Sequence, residues 1–160
     1  MAATVTRKNI NQLPVFANTP YGNETRLTYN LTTNASGVWV DSDQATAIIV
    51  GDVLRLGIIP AGLEIHDCLL TVSDKFSEHV TCTIGFDYVD GVDTTPAEHA
   101  AYFGTYDLHD QTDIFRKTGI RAPAKLPKDA YLTLTVATNN CAAVGVLDVS
   151  VLGVWTGLPA

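Results

Sequence analysis

Four histidines, His66, His79, His99 and His109, are the imidazoles this chain offers for proton transfer or metal binding. The densest group of donors is Asp107-Leu108-His109-Asp110, which places two carboxylates and an imidazole within four residues. Such a set can ligate a divalent ion, but a single short cluster reads more simply as a solvated loop. Asp87, Asp90, Asp93 and Glu98 form an oxygen-rich run of the kind calcium takes. Its glycine follows directly on the second aspartate, at Asp90-Gly91, so the twelve-residue EF-hand order is not met. Acidic turns between strands account for that run.

Covalent chemistry fares no better. No G-x-S-x-G places a nucleophile on a sharp turn, and neither a Walker loop nor a dinucleotide fingerprint is present. Glycoside hydrolysis needs only two facing carboxylates, which leave no local signature. The three cysteines, Cys68, Cys82 and Cys141, have no metal-ligand spacing and read as small buried residues. A hairpin centred near Lys75 would set Cys68 opposite Cys82, although a reducing compartment keeps both as thiols. The expectation is a protein that is not an enzyme, with no catalytic residue, resident metal or cofactor.

The elements that would position any site are strands. The stretch Gly51 to Asp74, GDVLRLGIIPAGLEIHDCLLTVSD, reads as two extended arms around a turn at Pro60-Ala61-Gly62. Leu54, Leu56 and Ile58 share one face of the first arm. In the second arm Leu63 and Ile65 share one parity and Cys68, Leu70 and Val72 the other, so the buried face switches near His66-Asp67. A β-bulge, or a strand passing between two packed sheets, produces such a switch.

Clean alternation marks Glu24 to Thr33, Val80 to Val89, the run around Leu132, Leu134 and Val136, and the run from Leu147 through Trp155. Val38-Trp39-Val40 reads as a further short strand, and Gln44 to Val50 is ambiguous. Thr95 to Gly104 has the marks of a two-turn helix: a Thr cap, Pro at the first helical position, Glu three residues after the cap and a terminal Gly. Asp110 to Lys117 reads as a second short helix. The fold class expected is all-β, an antiparallel two-sheet sandwich or small barrel with one or two short helices in a loop insertion. Periodicity does not choose among jelly-roll, immunoglobulin-like and other sandwiches.

At 160 residues the chain suits one core that buries roughly two-thirds of the unfolded surface. Residues 1–23 read as an extended N-terminal arm and 24–160 as the sandwich domain. Hydrophobic residues make up 46% and charged residues 17%, so fewer charges than usual are left for free surface and assembly with a partner is expected. A net charge of −7 repels phosphate backbones, which argues against nucleic acid. No run of about 18 apolar residues is present to span a bilayer, and the first 30 residues lack a secretory pattern, so folding in a cytoplasm is expected and no membrane partner is implied. The sequons at Asn23, Asn30 and Asn34 then read as polar strand and turn residues. In the arm, Arg7 and Lys8 are locally basic, and Ile10, Leu13, Val15 and Phe16 are isolated apolar residues suited to docking on a neighbouring subunit.

The blocks GDVLRLGIIPAGLEIHDCLLTVSD, TCTIGFDYVDGVD, LPKDAYLTLTV and AAVGVLDVSVLGVWTG together resemble the small structural proteins of tailed-bacteriophage heads, decoration or cement proteins among them. The Arg-Leu-Gly-Ile-Ile-Pro-Ala-Gly block followed by Ile-His-Asp carries most of the likeness, which spans approximately Gly51 to Gly157. The resemblance implies a jelly-roll-like sandwich on the outside of a virion head. It would often be a homotrimer at local three-fold positions, with the major capsid protein as partner. Two other readings fit the same pattern. One is a receptor- or glycan-binding module of a head or tail fibre, with exposed Trp39, Tyr21, Tyr102 or Tyr106 as a stacking platform; the other is a tail-tube or connector subunit.

Overall fold

The computed structural model describes residues 2–10, 24–109, 114–116 and 123–156. Ten strands form among them: β1 (Thr4–Thr6), β2 (Glu24–Thr33), β3 (Val53–Ile59), β4 (Leu63–Asp74), β5 (Thr81–Tyr88), β6 (His99–Asp107), β7 (Ile114–Arg116), β8 (Ala124–Lys125), β9 (Ala130–Thr138) and β10 (Gly145–Trp155). They make two sheets, ordered β1-β3-β9-β5-β6 and β2-β10-β4-β7, with β8 added beside β4.

The order has a simple origin. Setting aside β1 and β8, the remaining eight strands pair as nested hairpins, β2 with β10, β3 with β9, β4 with β7 and β5 with β6, all antiparallel. Rolling that long double ribbon brings β10 against β4 and β9 against β5, which closes two four-stranded sheets. This is the two-Greek-key winding of a jelly roll. The inward residues then meet in one core, with Leu27, Tyr29 and Leu31 of β2, Leu54 and Leu56 of β3, and Leu147, Val149 and Val151 of β10 all buried.

Where the alternation is clean, expectation and structure agree. β2 occupies the expected ten residues, and β5, β9 and β10 fall within a residue or two of theirs. The switch of face in the second arm of the Gly51–Asp74 stretch is a bulge: Asp67 lies opposite Leu152 and Ile65 opposite Gly153, leaving His66 unpaired and exposed. The two arms do not pair with each other, however. β3 and β4 belong to different sheets, and the Pro60-Ala61-Gly62 turn carries the chain between layers, with Gly62 at a φ of +84°. The hairpin that would oppose Cys68 to Cys82 is likewise absent, because β4 and β5 lie in opposite sheets; all three cysteines are free thiols.

No helix forms among the described residues. The helix expected over Thr95–Gly104 is an approach loop followed by β6. The groups that would cap a helix are spent elsewhere, since Glu98 Oε1 accepts the Tyr88 N–H at 2.7 Å and Asp93 Oδ1 accepts the Glu98 N–H at 2.8 Å. Tyr102 and Phe103 pack in a chain of edge-on rings with Phe86 rather than along a helix face. In the second expected helix, Asp110 to Lys117, residues 114–116 are strand β7 on β4, where Arg116 pairs with Asp67; its other residues lie outside the described set. Val38–Val40 makes only single bridges, from Trp39 to Thr33 and from Val38 to Ala47.

Loops at each end of the sandwich are tied to one another. At one end, Cys141 N–H donates to Ile48 O, Val50 N–H to Asn140 Oδ1 and Ala142 N–H to Ser77 Oγ. At the other, Gly62 N–H donates to Leu126 O and Lys128 Nζ holds both Asp90 oxygens and Val92 O.

Candidate functional site

The donor clusters suggested by sequence are taken up inside the fold. Asp107 Oδ1 accepts the His109 N–H at 2.8 Å, His109 Nδ1 faces Phe76 O at 3.1 Å, and Leu108 between them is buried; Asp110 lies outside the described residues. In the acidic run, Asp90 is claimed by Lys128, Asp93 and Glu98 by backbone N–H groups, and Asp87 turns to Arg55 at 3.6 Å. Lys128 and the Val92 N–H hold the Asp90 carboxyl below its usual range. Among the described residues no three histidine, cysteine or acidic side chains gather as a metal group. The aromatic platform is overturned for three of its four members: Trp39 is 1% exposed, Tyr102 5% and Tyr106 7%, because their positions point into the core. Tyr21 lies outside the described residues.

Of the arm residues, Arg7 continues β1 by a bridge to Ser42 and donates its N–H to Arg55 O at 3.2 Å; the Lys8 N–H donates to Asp41 O. Ile10 is half-buried, and Leu13, Val15 and Phe16 lie outside the described residues. β1 itself adds in parallel to β3, with Val5 buried, so the start of the arm is the edge of a sheet.

One concavity was not foreseen from the sequence. It lies on the outer face of the β1-β3-β9-β5-β6 sheet, has a volume of about 340 Å³, and is bounded by Arg55, Asp87, Glu98, His99 and Thr133 among others. Register builds it. Arg55 of β3 lies opposite Thr133 of β9, which lies opposite Gly85 of β5, so three neighbouring strands present guanidinium, hydroxyl and bare backbone in a row. Opposite Gly85 the β6 strand bulges by several residues, between His99 and Gly104, and its backbone folds onto the glycine. A Cβ at Gly85 would lie 1.9 Å from His99 O, so only glycine admits this wall.

The electrostatics of the hollow are mixed. Arg55 stacks on the Tyr131 ring at 4.4 Å and pairs with Asp87. Burial pushes the Asp87 carboxyl up from its usual range, outweighing the Thr133 hydroxyl and the Arg55 cation, which pull it down. His99 Nδ1 accepts the Ala101 N–H at 3.0 Å, which leaves Nε2 to carry the proton of the neutral ring. Thr133 is 1% exposed, and its hydroxyl and the Arg55 guanidinium both turn to the Asp87 carboxyl, although neither Thr133 Oγ1 nor Arg55 Nε makes a hydrogen bond of full geometry. Buried polar atoms are rarely left so. The sequence signal was faint: a threonine and a glycine on the outward parity of two strands.

No family model matches the chain, and no curated protein matches it. Among solved structures, the chain is similar to one in the capsid of Ralstonia phage GP4, with a TM-score of 0.65 and 14% identity over 98% of this chain and 99% of that one. It is also similar to one in the Cyanophage Pam1 capsid asymmetric unit, with a TM-score of 0.56 and 16% identity over 92% of this chain and 94% of that one. The class defined by topology and likeness together is a jelly-roll sandwich, a fold shared with those two chains. Both matches cover more than nine-tenths of each chain, so the likeness extends over the whole sandwich.

Proposed function

We propose that this chain is a non-enzymatic structural protein of a tailed-bacteriophage virion that decorates the head and braces neighbouring subunits of the major capsid protein. The observation that carries this reading is the near-complete mutual coverage with a chain of a phage capsid. Independent support comes from chemistry: the described histidines, cysteines and carboxylates are committed to folding roles or scattered, and the surface carries little charge for its size. A homotrimer on the head exterior fits a bracing role, because three modest contacts held together give avidity beyond any one of them. The arm residues Arg7, Lys8, Ile10, Leu13, Val15 and Phe16 are proposed as the gripping segment.

The test is co-sedimentation of purified protein with expanded empty shells of the cognate phage. Removing the whole arm would confuse folding with binding, because Val5 sits in the core and β1 in the sheet. The informative variant is therefore Leu13→Asp with Val15→Asp and Phe16→Asp, which keeps β1. A folded triple variant that pellets with shells at least about tenfold less well supports the arm; wild-type protein that stays in the supernatant at all concentrations sinks the head reading. Rings or tubes formed by the protein alone would favour a tail subunit instead.

A further inference from the structure

We infer that the outer edge of β2 docks a second copy of this chain, whose own β2 pairs with it antiparallel about a two-fold axis at Leu27 and joins two sheets into one. The contact is separate from the three-fold oligomer proposed above and does not rest on the head reading.

Hydrogen bonding shows what the edge presents. β2 ends its sheet and pairs with β10 over ten residues without a shift of register. On its other side only the far end is occupied, where Val40 N–H donates to Thr32 O and Asn34 N–H to Val38 O. Thr32 therefore turns its main-chain groups away from β10, and in an antiparallel ladder every second residue does the same. Glu24, Arg26, Thr28 and Asn30 thus direct their N–H and C=O groups out of the sheet, and none of these meets a backbone partner among the described residues. The side chains of Glu24, Arg26 and Thr28 are exposed. β2 also lacks the proline, lysine or bulge that blunts an open edge. The other long edge strand, β6, is interrupted by its bulge against β5.

Register names the occupant. Only residues of the outward set can face one another, so few alignments are open. A two-fold at Arg26 opposes that cation to its own copy. A two-fold at Thr28 carries Glu24 to Thr32, whose carbonyl Val40 already holds. A two-fold at Leu27 sets Glu24 opposite the copy's Asn30 and Arg26 opposite its Thr28, and all the outward groups pair. The side chains match as well. Asn30 Nδ2 donates to Asp148 Oδ1 at 2.9 Å and keeps a second N–H for the Glu24 carboxylate. Arg26 Nη2 donates to Ser150 Oγ at 2.9 Å, and its remaining N–H groups face the copy's Thr28 hydroxyl. On the inner parity Leu27 meets Leu27 and Thr25 meets Tyr29, so the apolar row runs on from one sandwich to the next.

The experiment is sedimentation of the full chain from about 10 µM to 1 mM, a range that resolves a modest affinity. The sedimenting mass should double with concentration, while the Arg26 and Thr28 amides exchange quickly in dilute protein and slowly in concentrated protein. Thr28→Pro removes one outward N–H and no bond to β10, and should weaken the doubling at least about tenfold. Register is read from two proteins, one with Arg26→Cys and one with Thr28→Cys, the native thiols being buried. Under mild oxidation their mixture should form a linked pair at least about fivefold faster than either alone. These two proteins decide the matter if Thr28→Pro does not fold. Four results overturn the inference: a constant mass over the whole range, Arg26 and Thr28 amides protected in dilute protein by the chain's own residues, doubling that a folded Thr28→Pro retains, or linkage no faster in the mixture than in either protein alone.

Discussion

Three thiols share the interior, and their surroundings set how the protein responds to alkali. Burial, aided by Asp67, pushes the Cys68 thiol up to about 12, and burial with Asp52 raises Cys141 to about 11. Cys82 is raised further, by complete burial and then by Cys141 and Asp107. In the unfolded chain all three ionise near the ordinary value of 9.0. Below that value folded and unfolded states hold the same protons, and the thiols contribute their full stability. Between it and the folded values, only the unfolded state releases them, so stability falls as pH rises, on the order of 1 kcal/mol per pH unit for each thiol. Urea midpoints measured under reductant from about pH 8 to pH 11 should decline steeply above about pH 9. Cys68→Ala and Cys82→Ala will each lower stability by leaving a cavity, yet flatten that decline. A wild-type midpoint that holds level across the range would show the thiols to be solvated.

The three-residue strand β1 depends on the most buried carboxylate among the described residues. Asp52, at the foot of β3, is buried with Oδ1 accepting the Ala3 N–H at 2.7 Å and Oδ2 the Ile49 N–H at 2.9 Å, so one side chain ties β1 and the β2–β3 connection to the sheet. Asp52→Ala orphans both donors and should cost about 2–4 kcal/mol, with Asp52→Asn recovering part of it. Hydrogen exchange should speed first at Val53 and Arg7, whose amides close β1 onto β3, while β5 and β9 stay protected; unchanged protection at Val53 would refute the anchoring role. This dependence explains why β1 was illegible as a strand. Thr4-Val5-Thr6 has too few residues to show a period, and its order comes from partners about fifty positions away. β2, β5, β9 and β10 were readable because each has one wet and one dry face. β6 was not, because Thr-Pro-x-Glu and a terminal Gly imitate a helix start and the bulge opposite Gly85 breaks the period. Pattern shows which side of β4 and of the first half of β3 is buried, but not the bulge after Arg55 that puts Ile59 and not Ile58 in the core, nor which strand lies beside each, and so the roll was out of reach. The hollow was hidden for the same reason: Arg55, Thr133 and Asp87 come from three strands and meet only through register.

At the scale of the whole molecule, the proposed bracing role requires a 160-residue chain of net charge −7 to hold to a shell. Among the described strands, two of the four sheet edges are short, β1, which borders the segment at Asp41–Asp43, and β7, which with β8 lines the outer side of β4; the other two, β2 and β6, run ten and nine residues. Strand addition has little purchase on the short edges; under the proposed role the arm and side chains supply the grip, through contacts that are small one by one. Small contacts sustain a brace only when repeated, first within an oligomer and then over a closed symmetric lattice. Copy number is therefore the quantity that tests the arrangement. Quantitative mass spectrometry of purified virions should give on the order of hundreds of copies, in fixed proportion to the major capsid protein. Occupancy should fall cooperatively, not in proportion, when the Leu13, Val15 and Phe16 variant is mixed with wild type, because each oligomer loses avidity with its first defective arm. A count of about six or twelve per particle would move the protein to the tail or portal, and a proportional fall would mean that each copy binds the shell alone.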